Sequence, residues 1–234
     1  MTRESIYITA LADGLRDQGE ILVTPIGEIP SAAARLAQAT HSPDLMLSDG
    51  SRAVLIRTDS DGARVVEAYM PFRSIFDVVW SGRRHVIMGA AQIDRHGNQN
   101  IAAIGDWRAP QVQLLGLRGA PGNVINHAVS YWIPEHTRRV FVPKVDVVSG
   151  PGYDRIASLG VGGRFHRLHV VVTNLATLDF ATPDRTMQLR SLHPGVVLSE
   201  VLDNTGFTLT VPTDVPTTRL PTETERRFLS SRLG

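Results

Sequence analysis

Short apolar runs along this chain alternate with longer segments that have the character of helices. Residues 4–17 carry apolar side chains at helical spacing, and residues 31–39 are rich in alanine, which is typical of a helix packed closely on a sheet. Residues 21–23, 45–47 and 85–88 predict short strands between the helices. Strands and helices that alternate in this way predict an α/β protein whose sheet is covered on both faces.

Pro71 marks the start of a further predicted helix, because proline is favoured at the first helical position. The residues that follow form one apolar stripe and end at a glycine suited to a helix C-cap (Phe72, Ile75, Phe76, Val79 and Gly82). The pattern therefore predicts an amphipathic helix that packs its apolar stripe against the sheet.

The second half of the chain contains further candidate elements. Residues 140–148 and 168–172 are β-branched runs that predict strands, the second of them internal to a sheet. Residues 197–204 predict a short helix, and Thr222 with Glu225 matches a capping box at the start of a last helix. We expect residues 1–234 to form one domain, with a C-terminal tail from about residue 212.

Composition argues against several classes of function. The net charge of +1 provides no electrostatic footprint for nucleic acid. The absence of cysteine rules out disulfides, a thiolate nucleophile and a Cys-based metal site. The sequence has neither an apolar signal region at its start nor an apolar run long enough to span a bilayer. We therefore expect a soluble, cytoplasmic protein with no nucleic-acid or membrane partner.

Common catalytic motifs are missing. The sequence contains no G-x-S-x-G nucleophile elbow and no Walker A motif. His166 and His169 point to opposite faces of a predicted strand, which argues against joint metal binding. The remaining histidines considered as ligands have no partner at ligand spacing, and each is expected to be a surface residue or a satisfied polar residue (His41, His127, His136 and His193). No metal site is predicted.

A glycine-rich loop at residues 116–123 precedes a predicted helix at residues 124–131. Such a loop presents unpaired backbone N–H groups and the positive end of the helix dipole. It can therefore hold a phosphate, a carboxylate or the oxyanion of a thioester under attack. A plain helix-entry turn would have the same spacing, so the loop alone leaves both interpretations open.

Several motifs in order resemble the β subunit of the heteromeric family I CoA-transferases, in particular the glutaconate type. Residues 89–98 correspond to the family's Gly-Ala-x-Gln-x-Asp-x-x-Gly-Asn signature, and residues 119–123 take the place of its glycine-rich active-site loop. Residues 138–146 and 149–153 are similar to the Arg-Arg-Phe-Val-x-Lys-Val-Asp and Ser-Pro-Gly-Tyr stretches. Pro194-Gly195-Val196 and Thr205-Gly206-Phe207 match the closing motifs, so the resemblance extends from about residue 5 to residue 210.

The resemblance implies an α/β fold with an open, mostly parallel sheet and helices on both faces. It also implies a homologous α subunit in an αβ or α2β2 assembly, with the active site between the subunits. The substrate would be an acyl-CoA, with CoA entering as part of the thioester and no separate cofactor. The expected substrate- and CoA-binding positions are six residues in the matching segments and in the turn at residues 48–50 (Ser48, Gly50, Gly89, Gly119, Ala120 and Gly122).

The sequence departs from the family at the position of its nucleophile. Family members have a Ser-Glu-(Asn or Ser)-Gly-like turn whose glutamate attacks the thioester, whereas this chain has Ser48-Asp49-Gly50, which is one residue shorter. Aspartate is one methylene shorter than glutamate, and a misplacement of about 1 Å can cost on the order of a hundredfold in rate. Asp49 is therefore a candidate catalytic residue, and the alternative is that it has only a structural role in the turn.

The missing glutamate resembles one branch of the family, the hydrolases that open the last ring of steroid-derived CoA thioesters in cholesterol-degrading actinobacteria. That resemblance implies attack of water on a ring ketone and retro-Claisen C–C cleavage. Arg118 and Asn123, with the loop around them, are the candidate donors to the enolate oxygen. Two alternatives remain open: a CoA-transferase that uses Asp49 as its nucleophile, and a non-catalytic subunit that completes the CoA pocket of the α subunit.

Overall fold

The computed structural model describes residues 2–49, 54–59, 62–71, 73–79 and 84–230. The chain divides into two compact units, of which the first comprises residues 1–88 and 219–234 and the second comprises residues 89–218. The single domain expected from the sequence stays a prediction.

The first unit has a mixed sheet. Its strands are β1 (Leu22–Pro25), β2 (Met46–Asp49), β3 (Val54–Thr58), β4 (Arg64–Tyr69) and β5 (Arg84–Met88). They lie in the order β5-β1-β2-β3-β4. The pairs β5–β1 and β1–β2 are parallel, whereas β2–β3 and β3–β4 are antiparallel. The carboxyl ends of β1 and β2 therefore lie side by side, at the edge where open α/β sheets bind ligands.

The helices of the first unit are α1 (Arg3–Asp13), α2 (Glu28–Thr40), α3 (Ser74–Val79) and α7 (Glu223–Ser230). Helix α1 begins at the N-cap Thr2, whose side chain accepts a hydrogen bond from the Ser5 amide. Its residues from Ser5 to Ala12 are all buried. Helix α2 buries its alanine-rich face, including Ala33, Ala34 and Ala37, as its composition predicts.

The capping box at the start of α7 is confirmed. The Thr222 amide donates to the Glu225 carboxylate at 2.6 Å, and the Glu225 amide donates to the Thr222 hydroxyl at 3.3 Å. The guanidinium of Arg219 pairs with both Glu225 and Asp13, each at 2.7 Å. This arginine therefore ties the start of α7 to the end of α1.

The second unit contains β6 (Gln92–Ile93), β7 (Gln99–Asn100), β8 (Ala103–Asp106), β9 (Ala109–Gln113), β10 (Ala128–Ile133), β11 (Arg167–Thr173), β12 (Ala176–Asp179) and β13 (Gln188–Leu192). Its helices are α4 (Ala120–Asn126), α5 (Tyr153–Ile156) and α6 (Leu198–Asp203), with a 3-10 helix at Ala157–Gly163. The main strands lie in the order β13-β12-β11-β10, with only β10 and β11 parallel. Strand β11 is internal to this sheet, as its apolar pattern predicts.

Three predicted elements differ in the structure. Residues 140–148 form turns rather than a strand, because the Val140 and Phe141 amides donate to the Thr137 carbonyl and Pro143 has no N–H. Only an isolated bridge joins Phe141 to Ile93. The helix predicted at residues 124–131 instead starts at Ala120 and ends at Asn126, and a strand follows it.

The helix predicted from Pro71 is shorter than expected. It begins at Ser74, whose amide donates to the Pro71 carbonyl at 2.9 Å, so the proline lies before the helix. Phe76 is 59% exposed, which shows that the predicted apolar stripe is not wholly buried. Phe72 and Gly82 lie outside the described residues.

Candidate active site

Ser48 lies at the carboxyl end of β2 and is buried, with 3% of its surface exposed. Its hydroxyl donates to the Thr24 hydroxyl oxygen at 2.9 Å, and the Arg84 guanidinium donates to the same oxygen at 2.9 Å. Burial lowers the pKa of Arg84 to about 10, so the group remains a cation at neutral pH. A buried positive charge therefore lies two hydrogen bonds from Ser48.

Asp49 follows Ser48 and forms an ion pair with Arg64 of β4. The Asp49 side chain is 11% exposed and that of Arg64 is 32% exposed, so the pair is partly screened from water. A carboxylate held by a guanidinium is less nucleophilic than one free to approach a thioester carbon, because its charge is already neutralised. Gly50, the third predicted residue of this turn, lies outside the described residues.

A cavity of about 110 Å³ opens at the carboxyl ends of β1 and β2. It is lined by apolar residues, by two hydroxyls and by three charged groups (Pro25, Ser31, Arg35, Leu47, Ser48, Asp49, Ile56 and Arg64). Two predicted site residues, Ser48 and Asp49, thus line one cavity. Arg35 and Arg64 also line it, although each lies outside every motif recognised in the sequence.

Part of the glycine-rich loop of the second unit is helical, because α4 starts earlier than the sequence predicts. Arg118 has a left-handed backbone (φ 51°), is exposed, and donates its Nε to the Leu115 carbonyl at 2.9 Å. Gly119 is the N-cap of α4, and Ala120 starts the helix. The predicted residues Gly119, Ala120, Gly122 and Asn123 therefore form the cap and first turn of α4 rather than a loop before it.

Backbone donors in this first turn are partly engaged. The Ala120 amide donates to the Leu117 carbonyl at 3.1 Å, and the Asn123 amide donates to the Gly119 carbonyl at 2.9 Å. Pro121 has no N–H. These bonds reduce the number of amides that can face an oxyanion, so any donor role for this segment depends more on the side chains of Arg118 and Asn123.

The segment 92–100 forms a buried hydrogen-bond network. The Asn98 side chain donates to Asp94 and to Asp154, each at 2.9 Å, and accepts from the Gly152 amide at 2.8 Å. Gly152 has no room for a side chain, because an added Cβ would lie 2.6 Å from the backbone nitrogen of Asn98. The network therefore fixes the β6–β7 turn against the start of α5.

Gln92, Asn100 and Asp146 extend this network along β6 and β7. The Gln92 amide group donates to Asp146 at 2.9 Å and accepts from the Asn100 side chain at 2.8 Å. The Gln99 side chain donates to the carbonyl of Gly89, the remaining predicted substrate-binding residue. These amide side chains have a structural role here, since their hydrogen bonds are directed at backbone, carboxylate and other amide groups of the same unit.

Two buried histidines are satisfied by hydrogen bonds, as the sequence predicts. His136 contacts the hydroxyls of Thr173 and Thr205 at 3.1 and 3.0 Å. His193 contacts the Thr218 hydroxyl and the Thr173 carbonyl, both at 2.9 Å. Burial lowers the pKa of each imidazole to about 4, so both are neutral at pH 7. They belong to the core of the second unit and not to a catalytic pair.

Comparison with known proteins identifies the family, because the family model for Coenzyme A transferase matches residues 6–204. The chain belongs to the Coenzyme A transferase family. The cholesterol ring-cleaving hydrolase IpdB subunit of Rhodococcus jostii RHA1 is 49% identical over 230 residues, which cover 98% of this chain and 91% of that protein.

Solved structures of the family share the fold. The crystal structure of Rhodococcus jostii RHA1 IpdAB matches with a TM-score of 0.92 and 49% identity over 98% of this chain and 93% of that chain. Glutaconate coenzyme A-transferase from Acidaminococcus fermentans matches with a TM-score of 0.83 at 22% identity, covering 98% of this chain and 93% of that chain. The predicted family is confirmed, and so is the α/β fold class with a mixed, mostly parallel sheet and helices.

The family's signature motifs can now be assigned roles in this member. The Gly-Ala-x-Gln-x-Asp-x-x-Gly-Asn motif builds the network around Asn98, and Gly206 of the closing motif donates its amide to the Phe141 carbonyl at 2.7 Å. Its neighbour Thr205 contacts His136. These motifs hold the scaffold together, whereas Asp49, where the sequence departs from the family, lines a cavity.

Proposed function

We propose that this chain is the β subunit of a CoA-transferase-family hydrolase that opens the ring of a steroid-derived cyclic 3-oxoacyl-CoA. The 49% identity to the IpdB subunit supports this substrate class, because it extends over 98% of the chain. The observation on which the mechanism rests is the Asp49–Arg64 ion pair at the position of the family nucleophile. It argues for chemistry without a covalent enzyme intermediate.

In the proposed reaction, water adds to the ring ketone carbon. The bond between that carbon and the carbon α to the thioester then breaks, and its electron pair moves to the α carbon as a thioester enolate. Protonation of the α carbon completes the hydrolysis. The product carries a new carboxylic acid and keeps its CoA thioester, so one water is consumed and no group is transferred to the enzyme.

This reaction needs a base for the water and donors for the enolate oxygen. Arg118 and Asn123 are the proposed donors of this chain, because they flank the start of α4 and carry side-chain N–H groups. The proposal assigns the base to a homologous α subunit within an αβ or α2β2 assembly. Neither a metal nor an organic cofactor takes part, and the assembly is placed in the cytoplasm, which cell fractionation would test.

Isotope labelling tests the reaction. The chain, co-expressed with its α subunit, would be offered steroid-ring CoA thioesters and simple carboxylates in H2(18)O, and the products analysed by mass spectrometry. Heavy oxygen in a new carboxylate, with CoA still attached, is the expected result. Appearance of CoA on an added acid would instead establish a CoA-transferase, and loss of that transfer in Asp49→Asn would make Asp49 its nucleophile.

The donor role is tested separately. Replacing Arg118 with Gln and Asn123 with Ala is expected to lower kcat while assembly with the α subunit persists, since an oxyanion donor contributes on the order of a hundredfold or more. Unchanged turnover in both variants would contradict the donor role and favour a subunit that only completes the CoA pocket.

A further inference from the structure

His166 is a half-buried histidine to which the proposed reaction assigns no role, and it contacts the helix that carries a proposed donor. Its Nδ1 lies 2.8 Å from the Val124 carbonyl oxygen, so Nδ1 carries the ring proton and donates it. Burial lowers the pKa of His166, which keeps the ring neutral at pH 7. Its other ring nitrogen, Nε2, has no hydrogen-bond partner among the described residues. The imidazole therefore directs its one N–H at α4.

The Val124 carbonyl lies where α4 needs a donor from outside. It belongs to the last turn of the helix, whose carbonyl groups have no partner within the helix. The residue that would donate to it in a longer helix, Ala128, is already part of β10. His166 takes the place of that missing amide. The bond thus ties the end of α4 to the residue that precedes β11.

Tyr153 holds the ring of His166 in place. The two ring centroids lie 4.8 Å apart at an interplanar angle of 81°, which is an edge-to-face contact. The Tyr153 hydroxyl donates to the Leu168 carbonyl at 3.1 Å and accepts from the Leu168 amide at 3.0 Å. Packing against a ring that is itself fixed restricts the rotation of the imidazole and keeps Nδ1 directed at Val124.

Gly150 contacts the side chain of the same valine. An added Cβ at Gly150 would lie 2.6 Å from Val124 Cγ2, so a larger residue there would displace Val124, which is fully buried. The backbone of Gly150 is paired with that of Gln99 by hydrogen bonds of 2.8 and 3.1 Å. Residues 149–153, which include Tyr153, therefore hold Val124 both through its side chain and, by way of His166, through its carbonyl.

A displacement of Val124 would be transmitted to the proposed donors. Asn123 is its neighbour in α4, and the Asn123 amide donates at 2.9 Å to the carbonyl of Gly119, which follows Arg118. Consecutive residues of a helix rise by only about 1.5 Å and are joined by hydrogen bonds, so they move together. A misplacement of about 1 Å in a catalytic group can cost on the order of a hundredfold in rate.

We propose that His166 is a positioning residue that holds α4 through the Val124 carbonyl. It thereby sets where Asn123 and Arg118 meet the substrate. The inference rests on the proposed function for the role of these two side chains. It also gives residues 149–153, one of the segments that resemble the family's motifs, the role of supporting this contact.

Hydrogen–deuterium exchange tests the contact without any turnover. The purified assembly would be compared with His166→Leu, which removes the donor, and with His166→Asn, which keeps an N–H donor at the same number of bonds from Cβ as Nδ1. The α4 amides are expected to exchange about fivefold faster or more in His166→Leu, and within about twofold of the unmodified protein in His166→Asn. The matched control is His96→Leu. His96 is also half-buried in the second unit, and its hydrogen bonds in the described part of the chain come from its backbone.

Two results would overturn the contact: unchanged exchange of α4 in His166→Leu, or an equal rise in His96→Leu. His166→Gln covers the case in which His166→Leu fails to assemble, because its amide nitrogen lies one bond farther from Cβ than Nδ1 does. Exchange should then be faster in His166→Gln than in His166→Asn, and equal rates would contradict the proposal. These outcomes do not depend on the reaction catalysed, so they are distinguishable from a failure of the hydrolase proposal in the isotope experiment.

Kinetics then tests whether the contact positions the donors. His166→Leu is expected to lower kcat by about tenfold or more and to leave KM within about twofold, because an enolate donor acts in the transition state. His166→Asn should restore most of kcat. In a protein that already carries Arg118→Gln and Asn123→Ala, His166→Leu should lower kcat by less than about twofold, since residues that act through one another are not additive. An unchanged kcat in His166→Leu alone, or the full loss in the triple variant, would contradict the positioning role.

Discussion

Asn98→Ala should destabilise the protein strongly, because the side chain is the centre of a buried network. Asn98 is 2% exposed, donates to two carboxylates at 2.9 Å and accepts from the Gly152 amide at 2.8 Å. Alanine removes the hydrogen bonds to all three partners and leaves the Gly152 N–H buried without this acceptor. The substitution separates a scaffold role for the family signature from a catalytic one.

The magnitude follows from the bonds lost. A buried donor left without its acceptor costs about 1–3 kcal/mol, and hydrogen bonds to charged groups contribute about 1.5–3 kcal/mol each. Because such effects are not additive, we expect a total loss of about 3–5 kcal/mol. For a chain of this size 1 kcal/mol shifts Tm by about 2–4 °C, so Tm should fall by roughly 10 °C.

The assay is thermal unfolding of the purified assembly at fixed protein concentration, combined with kcat measured well below Tm. Asn204→Ala is the matched control, since Asn204 is only half-buried and its side chain donates to the Glu200 carbonyl at 2.9 Å; it should lower Tm by no more than about 2 °C. A normal Tm with kcat reduced a hundredfold in Asn98→Ala would refute the scaffold role and place Asn98 in the chemistry.

Three further predictions concern stability. Burial lowers the pKa of His136 and His193 from 6.5 to about 4, so as the pH falls the histidines of the unfolded state bind protons before those of the folded state. The free energy of unfolding should therefore decrease by ~1.4 kcal/mol per histidine for each pH unit that the pH is lowered between 6.5 and 4. Urea unfolding that gives the same free energy across this pH range would contradict the prediction. Gly152→Ala should lower the free energy of unfolding by about 1–3 kcal/mol, because the added Cβ would clash with the backbone. Gly122→Ala is the control, since its Cβ would meet no atom within 4 Å, and chemical denaturation should show a loss of less than about 0.5 kcal/mol. Arg219→Met should lower stability by about 1–2 kcal/mol and increase protease cleavage near α7, since it removes both ion pairs; unchanged proteolysis would argue against this anchoring role.

None of the helices in the described part of the chain has the length and apolar character needed to cross a membrane.

Local signals in the sequence predicted much of the fold. The alanine-rich segment became α2, the apolar run at residues 168–172 became the internal strand β11, and Thr222 with Glu225 formed the predicted capping box. Each depends on side chains close together in the sequence, so the pattern itself contains the information. Residues 140–148 failed this test, because the turn bonds at Thr137 and the missing amide of Pro143 outweighed their β-branched composition.

The sequence by itself determined the family, the α/β class and the absence of glutamate at Ser48-Asp49-Gly50, because ordered motifs and residue identities need no coordinates. Only the tertiary structure placed Asp49 against Arg64 and added Arg35 to the same cavity. These three residues lie on β2, β4 and α2, and an ion pair between separate elements leaves no periodic trace in the sequence. The packing of strands and helix therefore decided which charged side chains lie beside Asp49.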